Sequence, residues 1–321
     1  MRKLWQLPGV NGLAATISII VAFQVSETRA SDKLLEEAVQ FTGSALFLET
    51  KVPALVIGGV RNGEMAVAGF GKTSAESDQP PDGKTPLRIG SITKPFTGAV
   101  LAALLADGKV KLMDPLQQVL GWNTPIPTKN GKQIRLVDLI THTSGLPREI
   151  ERTPGPDNNP FETMTKEAFV HNLQSGQLLF PPGTGAFYSN YDFDLLAQAL
   201  ANVAGTSYEN LLRERVLKPA GLVSTVFALP NDRDAPLLQG HNFDGIPLPD
   251  VPTVPMIMGS GGLHSTPDDM LRWIAWHLDR SWRPDVEMRL LDHAAYVYRD
   301  GTRPARSINS ASARRQQWLR P

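Results

Sequence analysis

Residues 54–60 (ALVIGGV), the turn Arg61-Asn62-Gly63 and residues 64–70 (EMAVAGF) commit the early chain to an antiparallel hairpin. Two strand-forming runs separated by a segment that tolerates positive φ have few other ways to fold. Beyond the hairpin the period changes. Phe96, Val100, Leu101, Leu104 and Leu105 recur at helical spacing, and Asp107-Gly108 stops them. Residues 136–141, 166–174 and 192–203 also read as helices, the last stopped by Gly205. Asp114-Pro115 opens a short one. Thr266-Pro267-Asp268-Asp269 starts a helix over 267–279, with a hydroxyl cap, a first-turn proline and acids at the positive end of the dipole. Residues 146–159 are rich in Pro, Asn and charge and predict a loop. Residues 228–257 hold six prolines and predict an irregular wall. Strands early, helices through the middle and a strand before residue 267 make an α+β fold. An antiparallel sheet is flanked by helices, with an all-helical region beside it.

Composition removes several classes of function. The chain has 321 residues, 41% of them hydrophobic, enough for one large domain. Lys+Arg and Asp+Glu are 32 each, so no broad basic surface is available and no nucleic-acid partner is expected. There is no cysteine, which excludes disulfides, cysteine metal sites and a thiol nucleophile. His142, His171, His241, His264, His277 and His293 show no ligand spacing, so no metal site is expected. His142 and His264 read as structural or substrate-lining. No G-x-S-x-G elbow, Walker loop or dinucleotide fingerprint occurs.

The ends differ from the body. Arg2 and Lys3 precede an apolar stretch at residues 12–23, and Thr28-Arg29-Ala30 offers small residues for cleavage. This is a signal-peptide pattern, with an apolar stretch shorter than the roughly 20 residues of a membrane span. Residues 1–30 are therefore expected to be removed on export to a bacterial periplasm, leaving no stable membrane span. Residues 31–300 form the body. Residues 301–321 carry five arginines and no acid and read as a basic, irregular tail.

Ser91-Ile92-Thr93-Lys94 lies where a Gly-containing approach meets the helix near Phe96. At this spacing Lys94 stands one turn beyond Ser91 on the same face. A serine becomes a nucleophile when a base takes its proton, and a lysine of lowered pKa can do so. The helix N-terminus adds positive potential where negative charge develops. Tyr188-Ser189-Asn190 supplies a phenol that can relay a proton, and a buried cation beside it favours the phenolate. Asn190 can bond both a substrate amide and the lysine. Tyr208-Glu209-Asn210 repeats the spacing, but Tyr208, Leu211 and Leu212 form a core face, so Tyr208 reads as structural. Trp273 and Trp276 read as core residues.

Four strings in this order resemble the serine β-lactamase and penicillin-binding-protein superfamily, in its class-C-lactamase-like branch. They are SITKPFTG from Ser91, LITHTSGL from Leu139, FYSN from Phe187 and GGLHSTPDDM from Gly261. Within it the chain is most similar to periplasmic D-alanyl-D-alanine carboxypeptidase/endopeptidases. The resemblance implies a β-lactamase/transpeptidase-like fold and a serine hydrolase with no cofactor. Ser91 would be acylated by D-alanyl-D-alanine peptides of peptidoglycan or by β-lactams. Lys94 and Tyr188 would handle its proton, while Asn190 and His264 would bind substrate.

One part of the family pattern is missing. Beyond residue 280 no Lys or His is followed by a small residue and Gly, the third motif that lines the substrate carboxylate; His293-Ala294-Ala295 lacks the glycine. Two readings follow: a truncated or frame-shifted product of weakened activity that lacks the C-terminal strands, which is the expectation, or a natural tail with a divergent active site. Two alternatives stay open: a non-catalytic penicillin- or peptidoglycan-binding module, and an esterase on the same scaffold.

Overall fold

The structure is a computed structural model that describes residues 32–231, 236–279, 285–299 and 303–307. The expected signal peptide, and residues 301–302 and 308–321 of the expected tail, lie outside them. The chain opens with helix α1 (Lys33–Thr50), capped by Asp32, whose carboxylate accepts from the Leu35 N–H at 3.1 Å. The same carboxylate takes Arg61 at the end of the first strand, fixing helix to hairpin. Helical periodicity did not reveal α1, because Leu34, Phe41 and Leu48 point to solvent and blur its apolar face.

The hairpin forms as expected from β1 (Ala54–Arg61) and β2 (Glu64–Gly71), paired antiparallel from Ala54↔Gly71 to Arg61↔Glu64. Successive residues of a strand face opposite sides. Gly59 accordingly faces Leu35 and Val39 of α1, while Gly58 faces Leu271 of the later helix α8 (Pro267–Leu278). Helices thus cover both faces of the hairpin, and the two glycines let them approach closely.

Antiparallel pairing recurs twice more. Strand β3 (Leu87–Arg88) pairs with β4 (His264–Ser265), and β5 (Ala295–Arg299) with β6 (Arg303–Ser307). The expected single sheet is three separate two-stranded pairs among the described residues. Part of the expected tail is described. Residues 303–307 form a strand paired with residues 295–299, with register shifts between Ala295 and Val297 and between Val297 and Arg299.

The helical region centres on α2 (Thr93–Ala106). Phe96 and every residue from Ala99 to Leu104 are at most 1% exposed, so this helix is buried on all sides. Around it stand α3 (Leu116–Val119), α4 (Leu136–Ile140), α5 (Lys166–Ser175), α6 (Asn190–Ala204) and α7 (Tyr208–Leu212). Ser189 caps α6 through the Asp192 N–H at 3.0 Å, and Gly205 ends it at φ 67°. Thr266 caps α8 as expected, bonding the Asp269 N–H. Trp273 stacks on Phe96 at 4.4 Å and on Trp276 at 5.0 Å, which places both tryptophans in the core. Residues 146–159 are loop, and the described part of 228–257 has only a short 3-10 turn (Pro255–Ile257) and isolated bridges.

A last helix, α9 (Val286–His293), lies against α2 and was not legible in the sequence. It also corrects the view that the histidines stand apart. His277 in the last turn of α8 and His293 at the end of α9 meet, because the two helices terminate at one place. Among the described residues no helix is long and apolar enough to cross a membrane.

Gly259 packs against α6 so tightly that a β-carbon would collide with the Phe193 carbonyl oxygen. Its own carbonyl accepts from Thr97 of α2 at 2.8 Å. Gly259→Ala should therefore destabilise the protein by about 1–3 kcal/mol. Denaturant unfolding checks this, and an unchanged midpoint would contradict the packing.

Candidate active site

Gly90, at φ 51°, turns the chain out of β3 into a 3-10 turn (Gly90–Ile92) that runs directly into α2. Ser91 stands in that turn, so its hydroxyl sits at the positive end of α2. Lys94 follows in the first turn of α2, and its amine donates to Ser91 Oγ at 3.2 Å. It also donates to Asn190 Oδ1 at 2.6 Å and to the Ser260 carbonyl at 2.6 Å. Tyr188 donates its phenol hydrogen to Ser91 Oγ at 2.8 Å. Four residues expected at the site, Ser91, Lys94, Tyr188 and Asn190, therefore converge, although up to 97 positions separate bonded partners among them.

The Tyr188-Ser189-Asn190 segment is held from behind by residues 142–148. The Phe187 N–H donates to the His142 carbonyl at 2.9 Å, and the Asn190 N–H to the Arg148 carbonyl at 2.9 Å. His142 adopts φ 59°, an unusual conformation for a side chain with a Cβ, and its Nδ1 accepts the Ser189 N–H at 3.1 Å. Its ring packs against Tyr188 at 4.6 Å and Phe193 at 5.0 Å. Ser189 returns its hydroxyl to the Pro147 carbonyl at 2.7 Å. His142 is thus a structural support of the tyrosine.

Electrostatics divide the proton carriers. Burial lowers Lys94 from its usual value to about 8, with Asp194 and Glu149 opposing the shift and Arg148 adding to it. At that value about a tenth of the amines are neutral at pH 7. Tyr188 moves the other way. Burial raises its phenol, and neither the Ser91 hydrogen bond nor the Arg148 charge offsets this. The expected phenolate is therefore corrected: desolvation outweighs the nearby cations. Asp194, one turn beyond Asn190 on α6 and fully buried, has its carboxyl pushed well above the carboxylate range by burial. Lys94 therefore stands beside an acid held toward its neutral form.

Sequence reasoning missed the rest of the rim. Glu149 accepts from Asn190 Nδ2, and Arg148 lies over the Tyr188 ring at 4.9 Å. Both sit in a loop whose composition marks it only as a loop. His264 does not join the cluster. It lies buried on β4 with its backbone paired to Val226 and its ring 3.5 Å from Asp250, and burial lowers its pKa. Among the described residues no hydrogen bond or ion pair ties it to Ser91, Lys94, Tyr188 or Asn190. Tyr208 bonds Thr97 at 2.7 Å inside the core, as its structural reading required.

Chemically, this arrangement can serve as a nucleophile between a base and a relay, at a helix N-terminus, with a pendant amide beside it. A family model described as Beta-lactamase matches residues 31–314. The chain belongs to the beta-lactamase family. Among relatives of this beta-lactamase-family chain is the D-alanyl-D-alanine-carboxypeptidase/endopeptidase AmpH of Escherichia coli. It is 39% identical over 210 residues, covering 65% of this chain and 53% of the relative. A Beta-lactamase of Pseudomonas fluorescens is 26% identical over 273 residues, covering 83% of this chain and 72% of the relative. Among solved structures, a Beta-lactamase/D-alanine Carboxypeptidase from Yersinia pestis, complexed with citrate, aligns with a TM-score of 0.68 at 28% identity. That alignment covers 83% of this chain and 75% of the other. The chain spans about half the length of the AmpH relatives it matches.

The lowered pKa of Lys94 gives a pH dependence. A base works when neutral, so reactivity of Ser91 should climb about tenfold per pH unit below 8 and level off above it. Labelling by a generic fluorophosphonate, followed from about pH 6 to 9, measures this. A profile that is flat, or that persists in Lys94→Met, would remove Lys94 from the base role.

Proposed function

We propose that the protein is a serine hydrolase of D-alanyl-D-alanine peptides of peptidoglycan, of β-lactams, or of both. The observation that carries this reading is the position of Ser91 Oγ, which accepts from both the Lys94 amine and the Tyr188 phenol. In the acylation step the Ser91 oxygen attacks the substrate carbonyl carbon, and neutral Lys94 takes the hydroxyl proton. The carbonyl–nitrogen bond then breaks, and Tyr188 hands a proton to the leaving nitrogen while Lys94 replenishes it. Asn190, anchored on Lys94 and Glu149, orients the substrate amide. Water hydrolyses the ester, releases the acid and restores Ser91. No step calls on a metal or an organic cofactor.

A second reading is penicillin binding without turnover, in which Ser91 is acylated and the ester persists. The test uses fluorescent penicillin, a D-Ala-D-Ala peptide, a chromogenic cephalosporin and a short p-nitrophenyl ester. Expected are labelling at Ser91 and hydrolysis of the peptide or the lactam, both abolished in Ser91→Ala. Labelling without hydrolysis supports the binding reading, and ester turnover alone supports an esterase. Activity that survives in Ser91→Ala would refute the site.

Export is part of the proposal. The basic start at Arg2-Lys3, the apolar residues 12–23 and the small residues near Ala30 support removal of residues 1–30 and release into a periplasm. Intact-mass analysis of the protein recovered from a bacterial periplasm should show a new N-terminus near Ser31. An unprocessed chain in the membrane fraction would contradict it.

A further inference from the structure

We propose that His277, Asp292 and His293 form a binding site for one borderline dication, with Zn²⁺ as the best fit, outside the Ser91 cluster. The three residues each offer a ligand atom, and these atoms lie within 4.8 Å of one another. His277 Nδ1 is 3.0 Å from His293 Nε2 and 3.5 Å from Asp292 Oδ2. A tetrahedral zinc ion with ligands at about 2.0–2.1 Å has ligand-to-ligand edges of roughly 3.3 Å. The two measured edges bracket that length, so a small movement of the side chains would seat the ion.

The donor set selects the metal. Two imidazole nitrogens and one carboxylate oxygen suit Zn²⁺, and the fourth position is left for water. Mg²⁺ and Ca²⁺ require more oxygen ligands than these residues offer.

The surroundings favour positive charge. His277 lies in the last turn of α8, and Asp292 and His293 end α9. Two helix C-termini, each the negative end of its dipole, therefore converge on the cluster. The Asp292 carboxylate is fully buried, and the His277 side chain is only 16% exposed. The opposing charge is Arg289. Its guanidinium is spread over the Trp276 ring at 4.2 Å and donates to the Trp276 and Asp279 carbonyls, with Asp285 at 3.9 Å to offset it. Because α9 lies against α2, an ion here would fasten α8 to α9 beside the helix that carries Lys94. Its role is structural.

Untagged, chelator-treated protein should take up about one Zn²⁺ per chain after dialysis, with a higher Tm, as measured by elemental analysis and calorimetry. Co²⁺ should give the visible absorption of a tetrahedral site. It should also quench tryptophan fluorescence, because the Trp273 and Trp276 rings lie 4.2 and 4.9 Å from the His277 ring. Asp292→Asn and His293→Gln should weaken Zn²⁺ binding beyond the roughly 10–100-fold cost of disturbing an outer-shell partner. Where a variant folds poorly, diethyl pyrocarbonate modification of the unaltered chain decides. Zn²⁺ should protect His277 and His293 and leave the exposed His171 reactive. No saturable uptake near one ion per chain, unchanged affinity in folded variants, or no protection of the pair would each overturn the site.

Discussion

Lys94 carries its amine on a side chain with no exposed surface, and taking an ammonium out of water costs about several kcal/mol unless hydrogen bonds replace the lost hydration. Its three donor positions are matched by three acceptors: Ser91 Oγ, Asn190 Oδ1 and the Ser260 carbonyl. Those acceptors come from the turn before α2, the start of α6 and the segment before β4. Satisfying one amine therefore fixes the relative position of three stretches of chain. The same desolvation lowers its pKa to about 8, which gives a lysine reach of the neutral form. Structural demand and chemical activation share one cause.

The rest of the fold supplies the rigidity this needs. The buried α2 places Lys94 at the head of a packed cylinder, so the amine moves only if the core moves. Close contacts carry the geometry from there. Gly259 against Phe193 sets the depth of the Ser260 carbonyl relative to α6. Thr97 ties α2 to the Gly259 carbonyl and to Tyr208, and Thr93 accepts the Leu263 N–H at 3.2 Å. The Tyr188 side is held differently, by backbone bonds to His142 and Arg148 and by a tilted ring contact with His142. Lys94 is thus buried in the core, while Tyr188 is carried on a loop segment braced by residues 142–148.

What could be read in advance divides along the range of the interaction. The hairpin, α2, α6 and α8 announce themselves because their caps, stops and periods lie within a few residues of one another. Ser91 and Lys94 are legible for the same reason, being one helical turn apart. Tyr188 and Asn190 required the motif strings, since no local rule links them to a serine 97 residues earlier. The Ser260 carbonyl was out of reach, because a backbone acceptor leaves no mark in composition. The exposed Leu34, Phe41 and Leu48 hid α1 from any periodicity argument. His264 was singled out by its place in a family string; its ring lies 3.5 Å from Asp250 in a buried position, apart from the hydrogen bonds that join the other four residues.

The opposite shifts of Lys94 and Tyr188 suit the proposed direction of proton transfer. A phenol raised by burial is a poor acceptor at neutral pH and holds its hydrogen toward Ser91 Oγ. The serine oxygen therefore receives a hydrogen bond from Tyr188, which leaves its own proton free to point at the amine 3.2 Å away. Only a neutral amine can accept it; burial favours that form, while the Asp194 and Glu149 charges oppose it. Burial acts on all three groups with one sign, against charge. The amine and the phenol that meet at the Ser91 hydroxyl are both held toward their neutral forms.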